Sequence, residues 1–441
     1  MKRCLFSNKL WCTCVALVIS FLIHAQQNQP NIIYIMADDL GYADLSGYGR
    51  KDYATPNLDK LATQGMKFMN AYASAPLCTP TRVAFMTGRY PARLSLGMVE
   101  PMEWSAKDSL IGLSADVPSI AIRLHSAGYE TNLVGKWHLG FKPEFSPLRN
   151  GFDYFFGFNG GGVDYVSHRS PRGGAADLYE NYQPVEMEGY MTDLLAKKAI
   201  EVINKEHNHP FFLSVMFNAP HWPWQGPADK AYPDTMSWRA GGSPATYAAM
   251  MKSLDDAVGA ILKALDAKRL THNTIVIFTS DNGGERFSNM GIYRGKKVDL
   301  WEGGIRVPAF VRWPAKIRAN TVTQQVVTTM DWTATILSLA GAKPVPSFPL
   351  DGEDMTQILL GKVKETDRTV YWRAFQRINH KAMREGNWKY MQDEKGQEYL
   401  FNLSADPYEK INMKEQKPEI FQKLKDKYAA WEAQMLKPVP L

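Results

Sequence analysis

Apolar positions along the chain fall into two recurring patterns. Asn31–Met36 (NIIYIM), Thr131–Val134 (TNLV), Phe211–Phe217 (FFLSVMF) and Thr274–Thr279 (TIVIFT) are almost continuously apolar. Such short runs predict strands covered on both faces. Between them lie amphipathic segments: Met251, Leu254, Val258, Ile261, Leu262 and Leu265 recur mostly at steps of three and four, which predicts a helix. The alternation predicts an α/β fold, a large and mostly parallel sheet sandwiched by helices. After Gly341 the pattern changes. A Pro-rich connector (AKPVPSFPLDG) precedes short strands at Val370–Phe375, Lys389–Gln392 and Glu398–Asn402. A last helix carries Ile420, Leu424, Tyr428, Trp431 and Met435 along one side. The expectation is a main domain over 26–341 and a small C-terminal antiparallel-sheet subdomain with a terminal helix over 342–441, docked on it.

Composition narrows the class. Of 441 residues, 45% are hydrophobic, including 12 Trp, 20 Tyr and 20 Phe, enough to fill a large core and to exclude a disordered chain. A net charge of +6 is too mild and too dispersed for a nucleic-acid footprint, but it is compatible with anionic ligands. No apolar run reaches the length of a membrane span. The first 25 residues have the layout of a secretory signal peptide: Lys2, Arg3 and Lys9, then an apolar stretch from Leu10 to Ile23, then Ala25. Cys4, Cys12 and Cys14 lie in that segment, which leaves Cys78 as the one cysteine of the mature chain. A mature chain without disulfides fits a bacterial periplasm or medium better than a lysosome. A lone thiol in such a compartment is either a small buried core residue or is kept for its reactivity.

Polar residues follow each of the four strands: Asp38 and Asp39; Lys136 and His138 in GKWHLG; His221 in NAPHWP; Asp281 and Asn282 in SDNGGE. Ligands of open α/β sheets sit at the carboxyl ends of strands, so parallel strands would bring all seven side chains to one edge. Asp38 and Asp39 point to opposite faces unless the strand has ended, and Leu40-Gly41 would end it. Either acidic pair alone also reads as a turn or helix cap. Together, three carboxylates and an amide oxygen are a hard set suited to Ca²⁺ or Mg²⁺ and poor for zinc. In PLCTPTRVAFMTGRYP, Thr79 reads as an N-cap and Pro80 as the first helical residue, which puts Cys78 at a helix mouth that favours anions. Arg82 lies within a turn of it and can hold the same anion.

Cys78-Thr79-Pro80-Thr81-Arg82 resembles the C-x-P-x-R signature of the arylsulfatase-type sulfatases of the alkaline phosphatase superfamily. TGRYP at 87–91, GKWHLG at 135–140, SDNGGE at 280–285, RGKKVDLWEGGIRVP at 294–308 and LFNLSADPYEK near the C-terminus resemble family segments too. The resemblance implies that a maturation enzyme oxidises Cys78 to formylglycine. Its hydrate would attack sulfur with one hydroxyl and use the second to expel sulfate. The same resemblance assigns Ca²⁺ to Asp38, Asp39, Asp281 and Asn282. It gives charge stabilisation to Arg82 and Lys136, and the proton that triggers sulfate release to His138. The leaving-group side falls to His221 and to Lys297, chosen over Lys296 for its spacing to Glu302. Thr81 departs from the usual Ser or Ala, which bears on maturation.

The Gly-rich segment 157–180 carries His168, Arg169 and Arg172, and Trp222 and Trp224 flank His221. Rings beside cations suit a sulfated sugar, and they equally suit ordinary loop packing. The DYxSH stretch with the later GYMTD resembles the branch that removes 4-O-sulfate from galacto-configured sugars. The resulting expectation is an exported sulfatase acting on sulfated oligo- or polysaccharides, with no nucleic acid as partner. A phosphate or phosphonate ester hydrolase, or a non-catalytic sulfoglycan binder, are the alternatives.

Overall fold

The four apolar runs become four adjacent strands. In a computed structural model that describes residues 29–105, 107–170, 174–233 and 236–438, the elements run β1 (Asn31–Ala37), α1 (Pro56–Thr63), β2 (Met66–Tyr72), α2 (Cys78–Thr87), α3 (Ile120–Ser126), β3 (Glu130–Lys136) and β4 (Tyr154–Phe158). They continue through β5 (Tyr179–Glu180), β6 (Gln183–Pro184), α4 (Met191–Asn204), β7 (Phe211–Met216), α5 (Pro244–Ala267), β8 (Thr274–Ser280), α6 (Glu302–Ile305), β9 (Ala309–Arg312) and β10 (Thr321–Thr328). The last third adds α7 (Thr329–Leu339), α8 (Thr356–Leu359), β11 (Thr369–Ala374), β12 (His380–Glu385), β13 (Trp388–Gln392), β14 (Glu398–Asn402) and α9 (Pro418–Glu432). The N-terminal segment read as a signal peptide lies outside the described residues.

The large sheet has the order β10-β2-β9-β8-β1-β7-β3-β4-β5-β6. At its centre β8, β1, β7, β3 and β4 are mutually parallel, in register from Ile32 opposite Phe212 and Ile275. Strand β9 runs antiparallel to both its neighbours. Period-two alternation explains why β1 is apolar throughout. Ile33, Ile35 and Ala37 enter one core with residues of α1, α4 and α5. Ile32, Tyr34 and Met36 enter a second core, on the opposite face, with residues of α2, α3 and α7.

The C-terminal sheet, β11-β12-β13-β14, is wholly antiparallel. Its two faces also split. Trp372, Ala382, Met391 and Phe401 pack on Tyr72, Leu300 and Ile305 of the main body. Met383, Tyr390 and Leu400 pack on Leu424, Tyr428 and Trp431 of α9. Strand β12 (HKAMRE) goes unmarked in the sequence reading because its polar residues, His380, Lys381, Arg384 and Glu385, leave no apolar run. Among the described residues, no helix is long and apolar enough to cross a membrane.

Candidate active site

Because β1, β3, β7 and β8 are parallel neighbours, their carboxyl ends open on the same edge. At the end of β1 the chain turns one residue earlier than Leu40-Gly41: Asp39 itself has φ 62°, a left-handed conformation that aspartate tolerates better than most residues. The turn is held from β8, since the Asp39 N–H donates to Asp281 Oδ1 at 3.1 Å and Asn282 Nδ2 donates to Asp39 Oδ1 at 2.7 Å. Both pairs predicted from separate segments therefore meet.

Three cations close around the three carboxylates. Lys136 Nζ donates to Asp38 Oδ2 at 2.5 Å, Lys297 Nζ to Asp39 Oδ2 at 2.7 Å, and Arg82 Nη2 to Asp281 Oδ2 at 3.1 Å. Lys297 is buried while Lys296 is exposed. All of these side chains are sequestered, Lys136 and Asp38 completely. Burial pushes the Asp281 carboxyl up to about 6, against the pull of Arg82. Burial also opposes ionisation of Asp39, but the Lys297 ammonium beside it overrules burial and holds that group at about 2. Two oxygens remain without a hydrogen-bond partner in this dry setting, Asp38 Oδ1 and Asn282 Oδ1. Orphaned buried acceptors beside two further carboxylates fit a hard cation. One atom each from Asp38, Asp39 and His221 also lie within 4.8 Å of one another, with His221 Nε2 3.7 Å from Asp39 Oδ2.

Cys78 opens α2 from the N-terminal side. The helix starts at Cys78 itself, with Leu77 as its cap residue, so Thr79 and Pro80 lie inside the first turn and do not cap it. Thr79 Oγ1 instead accepts the Met102 N–H at 3.0 Å. Gly88, at φ 66°, ends the helix in the left-handed conformation. The thiol is free, and the residue is 2% exposed at the floor of a cavity of about 570 Å³ shared with His138, His221 and Lys297.

Both histidines are held neutral. Burial, then Lys136, drives His138 down to about 3. Its Nε2 faces the Met102 carbonyl at 2.9 Å, so that nitrogen carries the proton, and Nδ1 is left as an unpartnered lone pair. Burial likewise holds His221 well below its ordinary value, against Asp39. Its Nδ1 donates to the Trp222 carbonyl at 2.5 Å, which leaves Nε2 toward Asp39.

The residues read as sugar contacts separate. Trp222 lines the cavity. Trp224 is buried against Phe287, and His168 is buried with Nε2 2.9 Å from the Gly189 carbonyl; neither lines it. Arg169 is exposed and donates to the Gly174 carbonyl, also outside the cavity wall. Arg172 lies outside the described residues. The walls also include Glu103, Trp104, Gly161, Arg239, Glu285 and Arg377, which the sequence reading missed. Arg239 lies over the Trp222 ring at 4.8 Å, and Arg377 pairs with Glu103. Glu285 sat in SDNGGE and Gly161 in the Gly-rich segment 157–180; the others reach the site through loops with no local signal.

Comparison with known proteins places these segments in context. Residues 30–342 match the family described as Sulfatase, and residues 291–434 match that described as N-sulphoglucosamine sulphohydrolase, C-terminal. Arylsulfatase J of Mus musculus is 30% identical over 91% of this chain and 75% of its own length. N-acetylgalactosamine-6-sulfatase of Homo sapiens is 32% identical over 78% of this chain and 68% of its own. The crystal structure of Ps i-CgsB in complex with k-i-k-neocarrahexaose matches with a TM-score of 0.83 at 31% identity, covering 94% of this chain and 95% of that one. PsFucS1 sulfatase from Pseudoalteromonas sp. matches with a TM-score of 0.73 at 25% identity, covering 95% and 94%.

Proposed function

The chain belongs to the sulfatase family and is a sulfuric ester hydrolase; from that premise we propose that it removes sulfate from sulfated carbohydrates, using formylglycine made from Cys78 and Ca²⁺ held by Asp38, Asp39, Asp281 and Asn282. One observation carries the reading: Cys78 shares a cavity with two neutral imidazoles and a buried lysine, beside carboxylate and amide oxygens that lack partners. The hydrated aldehyde would supply one hydroxyl to attack sulfur, and a second whose deprotonation reforms the aldehyde carbonyl and breaks the C–O bond to the sulfate carried by the first. The ion supplies positive charge beside a sulfate oxygen.

The chain's own residues do the rest. Asp38, Asp39 and Asp281 are offset by Lys136, Lys297 and Arg82, so a divalent ion leaves the pit net positive, as an anionic sulfate ester requires. His138, neutral and with Nδ1 open, is the base that takes the proton of the second hydroxyl. His221 is neutral in the free enzyme, and a sulfate anion beside it raises its proton affinity. Protonated in that way, it serves as acid to the departing alcohol, with Lys297 next to it. Carbohydrate as the substrate class is supported by the neocarrahexaose complex of the similar Ps i-CgsB and by the N-acetylgalactosamine-6-sulfatase relatives. A 4-O-sulfate on a galacto-configured sugar is our finer proposal, and it rests on the DYVSH stretch. Export directed by the first 25 residues is part of the same proposal.

The test is mass spectrometry of the peptide bearing residue 78 after co-expression with a maturation enzyme, joined to assays on matched sulfate and phosphate esters of galacto- and gluco-configured sugars. Formylglycine at residue 78 with turnover of the sulfate esters is expected. A fully active protein with an intact thiol would remove the mechanism, and preference for the phosphate esters would favour the hydrolase alternative.

A further inference from the structure

At the other end of the large sheet, a second cationic site lies between helices α1 and α5. Strand β9 places Phe310 in the core beneath α5, and Arg312, two residues on, projects to the same face. Arg312 is 2% exposed. Its Nη1 donates to Gln64 Oε1 at 3.2 Å, while Nε and Nη2 have no hydrogen-bond partner. It lines a groove of about 710 Å³ together with Lys60, Lys263 and Arg318, all exposed. The one carboxylate among the lining residues, Asp266, is exposed and accepts a hydrogen bond from Thr271. A buried guanidinium with two idle donors is a costly arrangement unless an anion or water meets it. Four cations against one carboxylate select an anion, and the planar fork of arginine suits two oxygens of a tetrahedral oxyanion.

We infer that this groove binds a sulfate group, with Arg312 Nε and Nη2 as its buried donors and Lys60, Lys263 and Arg318 as its rim. Arg312 pairs in register with Val276, four residues before the Ser280 that leads into Asp281. That spacing puts the groove about 13 Å back along the strand from the catalytic edge. The two sites are therefore separate and can be filled together. The ligand is either inorganic sulfate or a sulfate ester on a glycan chain held away from the reacting one.

Calorimetric titration of the full-length Cys78→Ala protein separates these sources, using sodium sulfate at constant ionic strength in one arm and a sulfated oligosaccharide in the other. Expected is a saturable event that Arg312→Gln weakens about tenfold or more, as loss of a charge-assisted pair of hydrogen bonds should. Lys60→Ala/Lys263→Ala alters only exposed side chains and is expected to weaken the same event, so the test survives a misfolded Arg312→Gln protein. A response to sodium sulfate assigns the free ion, and a response to the oligosaccharide alone assigns the ester. Binding of both ligands that neither variant changes overturns the inference, as does the absence of any event beyond the one at the catalytic cavity. Turnover does not enter the measurement, so its outcome is independent of the proposed catalytic roles.

Discussion

Lys136 and Asp38 are both fully buried and 2.5 Å apart, so each is the other's immediate counter-charge. Removing one partner of a buried pair costs about 3–5 kcal/mol, part of which protonation of the survivor relieves. Lys136→Met is therefore expected to lower stability to denaturant markedly and to abolish turnover. A variant with unchanged urea midpoint would contradict the burial argument. Gly161 makes a subtler prediction. A Cβ there would stand 2.8 Å from His138 Nε2, so the imidazole must shift. Displacing a reacting group by an ångström or less costs about 10- to 100-fold. Gly161→Ala should reduce kcat by that order with a smaller change in KM, read by steady-state kinetics.

At the scale of elements, the loop carrying Gly161 is itself held by a carboxylate. Asp177 accepts the N–H groups of Asn159 and Gly160 at 3.0 and 2.9 Å, yet burial outweighs both and pushes it up to about 7. Glu100, which accepts the Phe375 and Gln376 N–H groups from the turn after β11, is pushed to about 7 by burial in the same way. In the unfolded chain such groups titrate near ~4. The folded state thus keeps protons that the unfolded state releases. The stabilisation is complete below about pH 4 and is lost as pH rises through about 7. Asp177→Asn is expected to flatten this fall, measured as urea midpoints between pH 4.5 and 8; an unchanged slope would mean that Asp177 does not titrate there.

At the scale of the molecule, the C-terminal sheet is fastened by a buried ionic knot as well as by Trp372. Lys389 Nζ meets Glu302 at 2.9 Å and Glu409 at 2.7 Å, all three fully sequestered at the junction of the two sheets. Trp372→Ala should cost about 3–5 kcal/mol, seen in denaturant unfolding. The proposed ion site ties β1 to β8 through side chains that the unfolded chain cannot bring together. Calcium at a hundredfold excess over its Kd should therefore add about 2.7 kcal/mol, and a chelator should remove it. A melting temperature indifferent to both would count against the Asp38, Asp39, Asp281 and Asn282 set.

The sequence by itself determined the central strands, their burial on both faces, the long helix α5 and the polar residues at the strand ends, because period and local composition are short-range properties. Given parallel strands, the meeting of Asp39 with Asp281 followed from topology. Long-range packing decided the remainder. The antiparallel insertion of β9, the seating of Trp372 and Met391 against Tyr72 and Leu300, and the arrival of Arg239 and Arg377 at the cavity have no counterpart in neighbouring residues. Composition also could not say which way a loop side chain turns. Trp222 faces the cavity while Trp224, two residues on, packs against Phe287, and His168 is buried against a carbonyl. Direction is set by contacts with segments well removed along the chain, and only the folded chain contains them.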